Sequence, residues 1–331
     1  MKHLLRFLAL GALIPTAALR AAPNDPTAEL AAFSVFGKVD LAELAKGDIK
    51  TAAGAPMNTP RDLSVQSCFV IPKAPAQVVQ AMKRFDPTAH RDLKVYLHSD
   101  LSASPSAANF SKLANPPGNS AVKSLTAATE KMSPELQVSH AEAQKFSAGQ
   151  PIFSFWTEIL TKRAQDFATR GAAGEAPYDH TKEAVQPGRE LSGLVRQEEK
   201  VNRQFSGFLG DTGLTGGRGS LKPDLYWELL EVEDEGVLTL GASYTRAAGA
   251  GGFQVADGLY YASGGYYVAL TLYQMWPVDL GGRASTLLWR GDFISAASLG
   301  ELHGVERLAS ESAMKKDISK AVKIFQGETG R

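Results

Sequence analysis

Residues 62–98 change hydrophobic period twice. LSVQSCFVI (63–71) is rich in β-branched and apolar residues and predicts a strand, which Pro72 and Pro75 end. In AQVVQAMKRF (76–85) the apolar residues Val78, Val79, Met82 and Phe85 recur at helical spacing. LKVYLH (93–98) predicts a second strand. Residues 99–220 then read as helical pieces separated by breakers. SPELQVSHAEAQKF (133–146) opens with Ser and Pro in helix-starting positions. PIFSFWTEILTKRAQDFATR (151–170) carries an apolar stripe and stops at Gly171, and ELSGLVRQEEKVNRQFSGFLG (190–210) predicts one long helix.

From 221 the period falls to two. LYWELLEV (225–232) and VLTLGASYTR (237–246) flank an acidic turn at 233–236. GLYYA (258–262) and YYVALTLYQMW (266–276) flank Ser263-Gly264-Gly265, and STLLWRGDFIS (285–295) follows Gly281-Gly282. Alternation puts Leu225, Trp227 and Leu229 on one face of their strand and Tyr226 and Glu228 on the other. In 266–276 both faces are apolar, so that strand is predicted to be central and covered on both sides. The chain closes with VERLASESAMKKDISKAVKIF (305–325), where Leu308, Met314, Ile318, Val322 and Phe325 form an apolar stripe on a long helix.

Met1 to Ala21 reads as a secretory signal. Lys2, His3 and Arg6 precede a 13-residue apolar run, Phe7 to Leu19, followed by small residues. That run is shorter than the roughly 20 residues a membrane-spanning helix needs. The expected locale is periplasmic or secreted. Cleavage changes the charge: 35 basic and 35 acidic side chains become 32 and 35, a net of −3. Such a balance gives no electrostatic case for nucleic-acid binding. The single cysteine, Cys68, excludes an internal disulfide and a Cys-rich metal site, and is expected to be a buried, inert thiol. The expected organisation is a signal peptide at 1–21, an N-terminal extension at 22–61, one domain at 62–325 with a helical insertion at about 99–220, and a tail at 326–331.

The order of strand, proline-bearing turn, helix, strand, helical stretch, antiparallel meander and terminal helix resembles the START-like helix-grip superfamily of lipid-transfer, polyketide-cyclase and related domains. The resemblance rests on the strand–IPKAPAQVVQAM unit at 63–82 and on the meander and helix at 225–325. It is topological, with no signature motif, and it departs from the pattern at 99–220, where the minimal fold has a short connection. It implies an α+β fold in which a curved antiparallel sheet grips the long C-terminal helix, with the insertion covering the cavity or filling its mouth. The superfamily has no universal catalytic residue, so no catalytic role is carried over. A generic α+β protein with its last helix on an antiparallel sheet fits the same order.

Candidate chemistry is sparse. GLTGGRGS (213–220) lacks the Lys-Ser/Thr of a phosphate loop, no histidines pair at metal-ligand spacing, and no nucleophile elbow occurs. His98-Ser99-Asp100 reads as a surface turn. No cofactor, metal site or catalytic constellation is assigned. The expected partner is an apolar or amphipathic small molecule, not a nucleic acid, and oligomeric state is left open. Its candidate contacts are Trp227, Glu228, Arg246, Tyr267, Tyr273, Arg290 and Asp292, which join aromatic surface to polar handles on the strands. Three functions remain open: a binding protein, an enzyme acting on such a ligand, and a structural envelope protein with a filled core.

Overall fold

The computed structural model describes residues 25–181 and 184–330. The segment expected to be a signal lies outside the described residues. Among the described residues, eight antiparallel strands form one curved sheet: β1 (Lys50–Ala53), β2 (Asp62–Ile71), β3 (Val95–Asp100), β4 (Asp224–Val232), β5 (Glu235–Ala248), β6 (Gly252–Ala262), β7 (Val268–Leu280) and β8 (Arg283–Ser295). Their spatial order is β1-β2-β8-β7-β6-β5-β4-β3. The helices are α1 (Pro26–Phe33), α2 (Leu41–Leu44), α3 (Pro75–Arg84), α4 (Ser120–Glu130), α5 (His140–Ala143), α6 (Ile152–Arg170), α7 (Pro187–Arg196), α8 (Glu199–Gly210), α9 (Ala297–Glu301) and α10 (Val305–Thr329). The fold is therefore α+β, with a helical insertion and a long C-terminal helix. Among the described residues no helix is long and apolar enough to cross a membrane.

The meander is built by its turns. Glu233 and Asp234 both adopt positive φ, 49° and 68°, and join β4 to β5 through a two-residue loop. Gly281 and Gly282 do the same between β7 and β8, where glycine adopts that conformation without steric cost. A bulge interrupts β5–β6 pairing: Leu240 opposes Tyr261, and Gly241 opposes Leu259. The extra residue lets Tyr260 and Tyr261 enter the same core. Tyr260 stacks on Phe167 at 3.8 Å, and Tyr261 lies under Arg163 at 4.4 Å.

The two faces of the sheet have different covers. Leu225, Trp227 and Leu229 of β4, with Leu238 and Leu240 of β5 and Leu272 of β7, join the main core beneath α1, α4, α6, α7 and α8. On the opposite face, Phe69 and Ile71 of β2 and Leu288 of β8 pack against Val78 and Val79 of α3 and Ile318 and Val322 of α10. The insertion helices thus pack behind the sheet and do not cover the space under α10; of the insertion, only its first residues, 100–103, line that space. Its apolar stripes match the solid face.

Several elements differ from their predicted form. Only His140–Ala143 is helical within 133–146, because the preceding chain is captured by the sheet: the Gln137 amide donates to the Ser263 carbonyl at 2.9 Å. The predicted 190–210 helix is broken between α7 and α8. There the Glu198 carboxylate turns inward and accepts from the Ser64 hydroxyl, from Gln66 Nε2 at 2.8 Å and from the Ala55 amide at 3.1 Å. The break therefore joins the insertion to β2 and to the stretch read as an extension, which also supplies β1 and α1. Leu308 is 62% exposed; the seated stripe of α10 is Met314, Ile318, Val322 and Phe325, and the helix continues to Thr329. Cys68 is buried in β2, and burial pushes its thiol up to about 12.

Arg163 anchors the insertion from inside. Its guanidinium donates to Glu142 at 2.6 Å, to the Ala176 carbonyl at 3.0 Å and to Glu175 at 3.3 Å, between the rings of Tyr178 and Tyr261. Burial pushes the Glu175 carboxyl up, against the pull of the Arg163 charge, and so favours its neutral form. Arg163→Ala leaves the Glu142 carboxylate buried without its cation and should cost about 3–5 kcal/mol. Glu175→Gln keeps a neutral acceptor and should stay within about 1 kcal/mol of wild type. Urea unfolding of both variants checks the pair; equal losses would contradict this account.

Candidate functional site

A cavity of about 780 Å³ separates the sheet from α3 and α10. Polar side chains gather on its sheet side, while the helix residues above are mostly apolar. Ser243 and Thr245 of β5 line its floor, flanked by Tyr226 and Glu228 of β4 and Asp257 of β6. Val79, Met82, Phe85, Val322 and Phe325 form the roof. Phe85 and Phe325 meet edge to face at 5.8 Å.

Gly241 organises the floor. It lies directly opposite Tyr226, and a Cβ there would come within 2.2 Å of the tyrosine ring. The missing side chain lets that ring lie across β5, so the Tyr226 hydroxyl reaches β6 and donates to Asp257 Oδ1 at 2.7 Å. Burial pushes the Asp257 carboxyl up to about 6, opposed by the Tyr226 hydrogen bond and raised further by Glu228. Burial also drives the Tyr226 phenol far above its ordinary value, so it stays a donor at any physiological pH.

Two further polar groups share this space. His98 stands opposite Glu228 in the β3–β4 ladder, and its Nδ1 lies 3.0 Å from Glu228 Oε1. Burial pushes the imidazole down, but the bond to Glu228 and that carboxylate's charge outweigh it, and the net shift is upward. Arg290 donates through Nε and Nη2 to both oxygens of Asp292, at 2.6–3.0 Å, beside the ring of Tyr273 at 5.6 Å. Asp292 Oδ1 also accepts from the Thr271 hydroxyl at 2.9 Å. Burial pushes the Tyr273 phenol up to about 12.

Of the residues expected to contact a ligand, Glu228, Tyr273 and Arg290 line the cavity, and Asp292 holds Arg290 in place. Trp227, Arg246 and Tyr267 do not. Strand alternation that aims Glu228 into the cavity sends Trp227 into the main core, where its indole donates to the Asn109 carbonyl at 3.0 Å. Arg246 falls on the insertion face for the same reason, over the Phe208 ring at 4.8 Å and bonded to Gln254 at 2.7 Å. Tyr267 precedes β7 and lies under Arg61, 5.7 Å from its guanidinium.

Sequence reasoning missed Tyr226 and His98 as site residues. Tyr226 was within reach, since alternation already placed it beside Glu228. Asp257 was readable only as a carboxylate beside a predicted strand, because β6 begins at Gly252, six residues before the strand predicted at 258. His98 was read as a turn, yet it sits within β3. Among the described residues no cluster of three His, Cys, Asp or Glu side chains could hold a metal ion.

No family model, curated protein or solved structure matches this chain, so the geometry itself must carry any functional reading. Two titrations test that geometry. Tyr226→Phe removes the donor to Asp257 and should raise that carboxyl above about 6. Glu228→Gln removes the partner of His98 and should lower its imidazole pKa. Side-chain NMR titrations measure both; an unmoved His98 in Glu228→Gln would refute the pairing.

Proposed function

We propose that this chain is a START-like helix-grip protein, exported from the cytoplasm, that binds an apolar or amphipathic small molecule between its sheet and α3 and α10. The carrying observation is the cavity itself. At about 780 Å³ it falls within the roughly 300–1,000 Å³ range of small-molecule sites. Its apolar roof and polar floor suit a ligand with one end of each kind, and its volume weighs against a filled core. The topology supports the same reading: β2 lies beside β8, a proline-bearing turn leads into α3, and α10 crosses the same face as α3.

Two observations favour a second reading, in which the chain acts on its ligand. The His98–Glu228 pair and Asp257, which ionises near neutrality, face one space, as acid–base chemistry requires. Recovery of unaltered ligand after prolonged incubation with the protein would exclude that reading and leave the binding one.

Ser243→Phe tests the site directly. The ring would enter the cavity from a strand position, and aromatic residues suit strands. Binding of the neutral fluorophore N-phenylnaphthylamine should weaken at least about tenfold while the melting temperature stays within a few degrees. Undiminished binding would move the ligand site elsewhere.

A further inference from the structure

Charge in the cavity is unevenly matched. Among the described residues, each cationic side chain that reaches it already holds a carboxylate. Lys83 of α3 bonds to Asp224 at 2.7 Å, Arg290 is held by Asp292 at 2.6 Å, and His98 meets Glu228 at 3.0 Å. The α10 residues on the cavity, Ala321, Val322 and Phe325, bring no charge. Asp100 stands exposed at the mouth, 3.9 Å from His98. Asp257 differs from the other carboxylates. Its hydrogen-bond donor is a neutral phenol, Tyr226, and Glu228 adds negative charge beside it. Arg290 and His98 also face it, yet both are engaged with other carboxylates.

A ligand whose polar end is a carboxylate or phosphate would have to compete with Asp292 for Arg290. It would do so against the charges of Asp257 and Glu228. A neutral hydroxyl could accept or donate but would leave the charge on Asp257 uncompensated. A protonated amine brings both the missing charge and N–H donors, and charge-assisted hydrogen bonds of this type are the stronger class. The Tyr226 ring beside the carboxylate adds a surface that attracts cations.

We infer that the occupant of this cavity is a cationic amphiphile, an alkyl- or arylalkyl-amine whose ammonium sits on Asp257 while its apolar body lies beneath Val79, Met82, Phe85 and Phe325. The inference rests on the cavity reading above and narrows it to one ligand class. It also sets a pH dependence. Protonating Asp257 removes the anion, so amine affinity is present above about 6 and is lost as pH falls through that value. His98, whose imidazole is raised by its bond to Glu228, adds positive charge to the same space as it protonates and works in the same direction.

Isothermal titration with three twelve-carbon ligands below their micellar limits tests this: dodecylamine, dodecanol and dodecanoate. At pH 7.5 the amine should bind at least about tenfold more tightly than the alcohol, and dodecanoate more weakly than either. Asp257→Asn should bring the amine to the level of the alcohol and leave the alcohol within about twofold of wild type. Lowering the pH to 5 should weaken the amine but not the alcohol. Alcohol binding as tight as amine binding, both blocked by Ser243→Phe, would overturn the amine inference and leave the cavity reading intact. Loss of binding by all three ligands would remove both. The wild-type ligand series decides the matter even if Asp257→Asn fails to fold.

Discussion

Each strand of the sheet must divide its side chains between two faces, and here the faces are unequal. One is packed solid by the insertion and α1; the other stands off from α3 and α10 and leaves a cavity of about 780 Å³. A single residue of register therefore decides whether a side chain is structural or available. Trp227 and Glu228 are neighbours in the chain and lie on opposite sides of that boundary. So do Tyr244, whose hydroxyl accepts from the Gly213 amide of the insertion at 3.1 Å, and Thr245, which faces the cavity.

This constraint explains what could be read in advance. The meander strands and the terminal helix were legible because they carry a clean period over many residues. Glu228, Tyr273 and Arg290 were legible because alternation within each one's own strand sets the face it occupies. β1 was not legible: KTAA has little strand preference, and β2 supplies its pairing. Nor was the break between α7 and α8. The cause lies at Ser64 and Gln66, more than a hundred residues earlier, whose hydrogen bonds draw Glu198 inward. Asp257 and His98 needed the inter-strand register, which no single strand reveals.

The polar floor is arranged so that neighbouring strands complete one another. Gly241 gives way to the Tyr226 ring, and Tyr226 then spans from β4 to β6. Arg290 and Asp292 satisfy each other two positions apart along β8. Polar groups are thereby kept on a face that would otherwise be apolar, and most of their bonding capacity is met internally. The ligand has to meet only what remains. A site of this kind selects its ligand by the residual imbalance of a nearly closed network, not by a row of free groups.

The pairing of β2 with β8 has a consequence for how the chain folds. Asp62 lies opposite Ser295, and Ile71 opposite Thr286, so this ladder joins segments more than two hundred residues apart. Contacts of that separation form late, because the closing loop is long. During folding β2 waits without its β8 partner until that distant segment of the chain docks. The insertion helices and the meander hairpins, whose contacts are local, can assemble meanwhile. The apolar face of β2 is then the surface exposed longest, and the arrival of β8 closes both the sheet and that exposure in one step.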